Sequence, residues 1–395
     1  MNSTMKALLI VVAIVLAGFT LRAFAPETPP MNSESEGDCA VDERSDCPER
    51  CLTEHNCCIK SCNWVKPNAK SACIKHCKSS LQKCYEECDK KPAAVPRSAA
   101  FKMLEQQGDA KAGPAFHRFK VGDFTITALH DGGWDYPPGF LLGELAGEAE
   151  MQNRYGLEGE NPTIWSPYTV LFVDTGTNKV LLDTGAGKKP FVPSAGKMFG
   201  SMKLAGIAPA DVDTVVITHA HPDHIAGVMD ESGNLIFSNA MYYVGKAEYD
   251  FWGTEGLKEK LGDTGWLVDI AVVNLNAIKD KAIMVDAETE IVPGMKAVPL
   301  SGHTPGHFMV EMATAGTNLW YVSDLFVMDF YVEHPEKRPG VIPGERKELL
   351  IEDTKKILAR AAAEDPMIVA MHLPPFPSLG KIVEEGDGYK WQPVQ

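Results

Sequence analysis

The chain has 395 residues, 45% of them hydrophobic, with 53 acidic against 38 basic side chains and a formal net charge of −15. That length and apolar content allow a large buried core, and the acidic balance disfavours nucleic acid and anionic ligands. All ten cysteines fall between Cys39 and Cys88, so the chain divides into a cysteine-rich leading part and a cysteine-free remainder.

Lys6 precedes an apolar run from Ala7 to Leu21, which has the length of a secretory h-region rather than a full membrane span. Ala23-Phe24-Ala25 has the form of a cleavage site, but Pro26 is a poor first residue after it. Residues 1–25 are therefore read as a signal peptide or, if uncleaved, a signal anchor on a membrane. The expected location is the secretory pathway, secreted or lumenal.

Eight cysteines form a mirror: Cys47/Cys51, Cys58/Cys62, Cys73/Cys77 and Cys84/Cys88 are each four apart, and both inner gaps are seven. At about 100° per residue, each half places its cysteines on one edge of a helix. Two such helices packed antiparallel within 39–91 pair Cys47-Cys88, Cys51-Cys84, Cys58-Cys77 and Cys62-Cys73, whose numbers share one constant sum. Cys39-Cys57 would be a fifth bridge. Pro48 suits a first helical turn and Pro92 stops the second helix. Metal binding by these cysteines is the competing reading, and the hairpin's own partner is unknown. Oxidised cysteines agree with an extracytosolic compartment. Proline and glycine at Pro92, Pro96, Gly108, Gly113 and Pro114 make 92–115 a linker.

Residues 116–395 read as one α+β domain. Strand-like runs fall at 124–130, 168–174, 179–182, 213–218, 241–244, 283–286, 296–300, 308–312, 319–323 and 367–371, with helices at 195–206, 223–229, 246–252 and 346–363. Val215-Val216-Ile217-Thr218 is a β-branched run of the kind that fills a buried strand. Directly after it comes His219-Ala220-His221-Pro222-Asp223-His224, four potential metal ligands in six positions. His303 lies between glycine and proline in Gly302-His303-Thr304-Pro305, Asp324 follows Leu319-Trp320-Tyr321-Val322, and His372 follows Met367-Ile368-Val369-Ala370-Met371. Each candidate sits where a strand ends and sites are usually built. Imidazole and carboxylate ligands without thiolate suit zinc, with manganese, iron and cobalt as alternatives.

These residues resemble the metallo-β-lactamase superfamily, and within it the branch of methyl parathion hydrolase and the lactonases. Further similarity lies in Gly122–Leu129, in Val180–Gly187 and in the ending Gly388–Val394, so the resemblance spans about residues 115–395. It implies a four-layer αβ/βα sandwich with the site at the shared sheet edge. It also implies that His219, His221 and His303 hold one metal, that Asp223, His224 and His372 hold the other, and that Asp324 bridges them. Lactamases of this fold usually lack that carboxylate, which argues against β-lactamase activity. Asp183 would orient a ligand from behind or shape its turn. His307 would do the same or be a plain loop histidine. Phe251 and Trp252 would line an apolar substrate pocket or belong to the core.

Two divalent ions lower the pKa of shared water. The resemblance therefore implies a binuclear hydrolase using a metal-bridging hydroxide on neutral lactones, esters or phosphotriesters, with Asp223 passing a proton to the leaving group. Two alternatives remain, a glyoxalase-type thioester hydrolase and a non-catalytic binding protein whose hairpin carries the role.

Overall fold

The computed structural model describes residues 114–394. The expected signal or anchor segment, the helical hairpin with its five bridges and nearly all of the linker lie outside those residues.

Fourteen strands follow in order among the described residues: β1 (Phe116–Val121), β2 (Phe124–Tyr136), β3 (Ile164–Asp174), β4 (Lys179–Leu182), β5 (Thr214–Ile217), β6 (Met241–Gly245), β7 (Ala282–Val285), β8 (Thr289–Val292), β9 (Met295–Pro299), β10 (Phe308–Thr314), β11 (Thr317–Tyr321), β12 (Met367–Val369), β13 (Leu379–Glu385) and β14 (Gly388–Pro393). β1 to β7 form one sheet in sequence order, antiparallel as far as β4 and parallel from β4 to β7. The second sheet runs from β14 back to β8 and is antiparallel except where β11 meets β12.

The helices are α1 (Pro138–Leu142), α2 (Ala149–Tyr155), α3 (Met198–Leu204), α4 (Pro222–Ile225), α5 (Lys246–Trp252), α6 (Leu257–Lys260), α7 (Trp266–Ile278), α8 (Phe330–Glu333) and α9 (Lys347–Glu364). Strand alternation decides what each layer buries. In β5, Val216 enters the core between the sheets, whereas Val215 and Ile217 pack outward with Met198 and Met202 of α3 and Leu275 and Ile278 of α7. In β11, Leu319 and Tyr321 face the same inner core, and Trp320 turns outward to Leu350, Ile357 and Leu358 of α9. The result is helix, sheet, sheet, helix.

A smaller core of Tyr136, Leu141, Met151, Tyr168, Phe330 and Tyr331 lies under α1, α2 and α8. Arg154 of α2 holds Glu333 of α8 at 2.6 Å and Asp329 at 2.8 Å. A bulge in β2 between His130 and Gly133 re-aims its last residues toward this region.

Several expected boundaries are corrected. The run at 124–130 continues to Tyr136, the helix at 195–206 shrinks to Met198–Leu204, and that at 223–229 is a single turn, Pro222–Ile225. α4 ends beside Gly227, where a Cβ would meet Thr184 O at 1.9 Å. α7 was not anticipated because Val268, Ile270, Val272 and Val273 are β-branched, and its packing overrides their weak helix preference.

Candidate metal centre

β5 delivers the chain to Thr218, and the next three residues remain non-helical until Pro222 opens α4 with Asp223 and His224. Proline suits a first helical turn because no N–H is needed there. His303 lies in the loop between β9 and β10, Asp324 in a short 3-10 turn after β11, and His372 just beyond β12. The close backbone approach allowed by Gly302 is to α9, since a Cβ there would meet Leu350 Cα at 2.3 Å.

All seven candidate ligands are buried and come together. His219 Nε2 and His303 Nε2 lie 2.9 and 3.0 Å from His221 Nδ1. Asp324 Oδ2 is 3.4 Å from His303 Nε2, and its Oδ1 is 3.1 Å from His224 Nε2 and 3.2 Å from His372 Nε2. Asp223 Oδ2 lies 3.5 Å from His372 Nε2 and 3.9 Å from His224 Nε2. Two groups emerge that could each hold an ion: His219, His221, His303 and Asp324, and Asp223, His224 and His372.

The far side of each ring fixes its orientation. His221 Nε2 contacts Pro343 O at 2.8 Å. A carbonyl only accepts, so Nε2 carries the hydrogen and Nδ1 keeps its lone pair toward the cluster. By the same argument His224 donates from Nδ1 to Asp183 Oδ2 at 2.9 Å. His303 Nδ1 faces Glu345 Oε1 at 3.4 Å, and His372 Nδ1 meets Ser166 Oγ at 3.2 Å. Asp183 also accepts from Thr218 N at 2.8 Å and Tyr321 Oη at 2.9 Å, so it both shapes the turn and holds His224. His307 donates to or accepts from no candidate ligand. Its Nδ1 meets Leu300 O at 2.9 Å, and its ring packs 5.4 Å from that of His219.

Burial pushes His219 well down and His303 down to about 4, leaving neutral imidazoles with free lone pairs. Burial also opposes charge on His224 and His372, but Asp324 together with Asp223, joined at His224 by Asp183, outweighs it and raises them. His224 Nε2 and Asp324 Oδ1 are buried without a hydrogen-bond partner despite their 3.1 Å approach. Converging lone pairs and orphaned buried atoms are costly by themselves. The donor set of nitrogen and carboxylate oxygen fits one divalent ion in each group.

A cleft of about 680 Å³, including its open mouth, reaches Asp223, Asp324, His221, His303 and His372. Its apolar walls include Trp134, Tyr136, Phe140, Phe191 and Trp266, and among the described residues its lining holds no Lys or Arg. The expectation that Phe251 and Trp252 line the pocket is corrected. Trp252 is fully buried in the outer core and Phe251 packs against that core, and neither borders the cleft. The resemblance pointed to those rings with a core role as the alternative, and α5 turns Trp252 into that core, where its ring lies 5.7 Å from that of His221. Glu248, on the same helix, touches the two loops that carry the three histidines of the first ligand group, and nothing in its spacing announced that.

Comparison with known proteins agrees with this geometry. Residues 163–317 match the model of the metallo-beta-lactamase superfamily. These residues form a metallo-β-lactamase superfamily domain. That span contains five of the seven candidate ligands, and Asp324 and His372 join it from later strands. An N-acyl homoserine lactonase of Bacillus sp is 24% identical over 185 residues, covering 46% of this chain and 64% of that protein. One from Bacillus cereus is 24% identical over 175 residues, covering 43% and 60%. The chain thus spans somewhat under two thirds of the length of these relatives.

Among solved structures, AidC, a dizinc quorum-quenching lactonase in complex with a product, aligns with a TM-score of 0.65 at 25% identity, covering 73% of this chain and 99% of AidC. The hydrolase AbOPH, also described within the β-lactamase superfamily, aligns with a TM-score of 0.59 at 26% identity, covering 71% and 98%. The metallo-β-lactamase fold therefore extends beyond the matched segment through most of the described residues.

Proposed function

We propose that this metallo-β-lactamase domain is a binuclear metal-dependent hydrolase of neutral lactones, carboxylic esters or phosphotriesters. The observation that carries the reading is Asp324, whose carboxylate lies between the two groups, with Oδ1 3.1 Å from His224 Nε2, Oδ2 3.4 Å from His303 Nε2 and both oxygens 3.2 Å from His372 Nε2. Two divalent ions, zinc being the first choice from the donor set and from the dizinc relative AidC, would supply Lewis acidity and water acidified enough to attack at neutral pH.

The chain's residues do the rest. Asp183, Pro343 O, Glu345 and Ser166 hold four imidazoles in fixed orientations. The aromatic walls exclude water and receive an apolar group of the substrate. Asp223 lies at the cleft with its side chain 9% exposed, placed to protonate a leaving oxygen. A lining without Lys or Arg favours neutral substrates over the anionic glutathione thioesters of the glyoxalase-type alternative.

The leader and the clustered cysteines support a secreted or lumenal enzyme, anchored to a membrane if residues 1–25 are retained. A role for the hairpin in docking it to a partner completes this proposal. The test is turnover of the purified chain on a lactone, ester and phosphotriester panel, with metal content measured on the same sample. Hydrolysis that disappears on chelation and in Asp324→Asn is expected. A fully loaded protein inert across the panel would leave the non-catalytic reading in its place.

A further inference from the structure

We propose that Glu248 is a positioning residue that locks the loops bearing His219, His221 and His303 into one frame and so sets the affinity of the first metal position. This rests on the two-metal reading above.

Glu248 stands in the first turn of α5 and is fully buried. Its Oε2 accepts from Ala220 N at 2.9 Å and from Trp252 Nε1 at 2.8 Å. Its Oε1 accepts from Gly306 N at 2.8 Å and from the Thr304 hydroxyl. Ala220 is the residue between His219 and His221, and Thr304 directly follows His303. One carboxylate therefore ties the main chain at all three imidazoles whose nitrogens converge within 3.0 Å.

Every partner of Glu248 is a donor, so only a group with two acceptor oxygens satisfies them all. A glutamine would aim an N–H at another donor on one side. No Lys or Arg pairs with this carboxylate among the described residues; the four hydrogen bonds alone stabilise its charge, as charge-assisted bonds can. The contact is tight as well as polar. A Cβ on Gly306 would meet Glu248 N at 2.5 Å, and a Cβ on Gly245 would meet Gly306 O at 2.1 Å. The His303 loop is pressed onto the start of α5, and Glu248 pins it there.

The second group, Asp223, His224 and His372, has its own support in Asp183 and Ser166. Loss of the Glu248 frame should therefore fall on one metal position, whereas a residue that merely stabilised the fold would affect both. The experiment compares the full chain with Glu248→Gln, Thr304→Val and Trp252→Phe, measuring bound zinc per chain against a graded chelator, and thermal unfolding of the loaded forms.

The unchanged chain is expected to hold two ions. Glu248→Gln should lose one of them with an affinity about 10–100-fold weaker, the usual effect of removing a ligand's supporting partner. Thr304→Val and Trp252→Phe, each of which removes one of the four donors to Glu248, should weaken the same ion by less. Should Glu248→Gln not fold, Thr304→Val decides. Two ions held as tightly in Thr304→Val and any folded Glu248→Gln as in the unchanged chain, or both ions weakened equally, would overturn the role alone. An unchanged chain that takes up no zinc would overturn the two-metal reading and this role with it.

Discussion

Asp183 and His224 form a 2.9 Å hydrogen bond between the end of β4 and α4, with Asp183 in a left-handed backbone conformation at φ 63°. Asp183 is thereby aimed at Thr218, Tyr321 and His224 together. Asp183→Asn would put an amide against donors and free the His224 ring to turn. The expected outcome is a 10–100-fold loss of affinity at the second metal position, read by the same chelator titration, with the first position retained. Equal weakening of both ions would count against an orienting role.

Asp223→Asn, isolated with both metals retained, should lower kcat by about 10²–10⁴-fold for substrates with poor leaving groups, the usual worth of a positioned acid. Activated aryl esters, whose leaving oxygen needs no proton, should be affected far less. Stopped-flow or steady-state rates across a leaving-group series measure the difference. A uniform effect along the series would assign Asp223 to ligation only.

The aromatic walls make a separate prediction. Trp134→Ala or Phe191→Ala removes a ring from a cluster in which their centroids lie 5.6 Å apart. We expect kcat/KM to fall roughly tenfold for long-chain or aryl substrates and little for the smallest lactones, because buried apolar area is what is lost. A KM series over acyl length tests this.

Arg338 and Glu345 make a buried ion pair at 3.0 Å, with side chains 3% and 1% exposed. Removing one partner strands the other, so Glu345→Gln should destabilise by about 3–5 kcal/mol in denaturant unfolding. The pH dependence follows from the same contacts. Burial opposes ionisation of Glu345, but Arg338 and then His303 outweigh it and hold the carboxyl down at about 2 against an ordinary 4.5. A depressed acid contributes stability that is complete above its unfolded pKa and is lost as pH falls through its folded one. The stability advantage of the unchanged protein over Glu345→Gln should therefore shrink between about pH 4.5 and pH 2. An advantage constant across that window would contradict the pairing.

The ligands were readable because His219 to His224 crowd one strand end, His303 lies between glycine and proline, and Asp324 and His372 each follow an apolar run. Their convergence needed β5, β11 and β12 to finish at one edge, which the resemblance implied and no local pattern showed. The cleft was not readable. Its walls come from the end of β2, from α1, from a loop at Phe191 and from the start of α7, brought together by packing rather than by any local period. Phe251 and Trp252 take the core alternative to the pocket role that the resemblance implied, because the packing of α5 decides which face of the helix is turned to the site. Glu248 escaped notice because two of its four partners are main-chain N–H groups, which leave no signature in side-chain spacing. β13 and β14 were passed over because Glu384, Glu385 and Lys390 thin their apolar pattern to single residues such as Ile382 and Trp391.

The stretch from Arg338 to Glu345 contributes Ile342 and Pro343 to the cleft, while the Pro343 carbonyl and the Glu345 carboxylate face His221 and His303. Redesigning the entrance from that side to admit a different substrate would disturb the backing of two imidazoles at once, so selectivity and ion retention would change together. The opposite wall, with Trp134, Phe140 and Phe191, has no bond to any imidazole of the cluster among the described residues. Variation there can reshape what the cleft admits while leaving the backing of the candidate ligands in place.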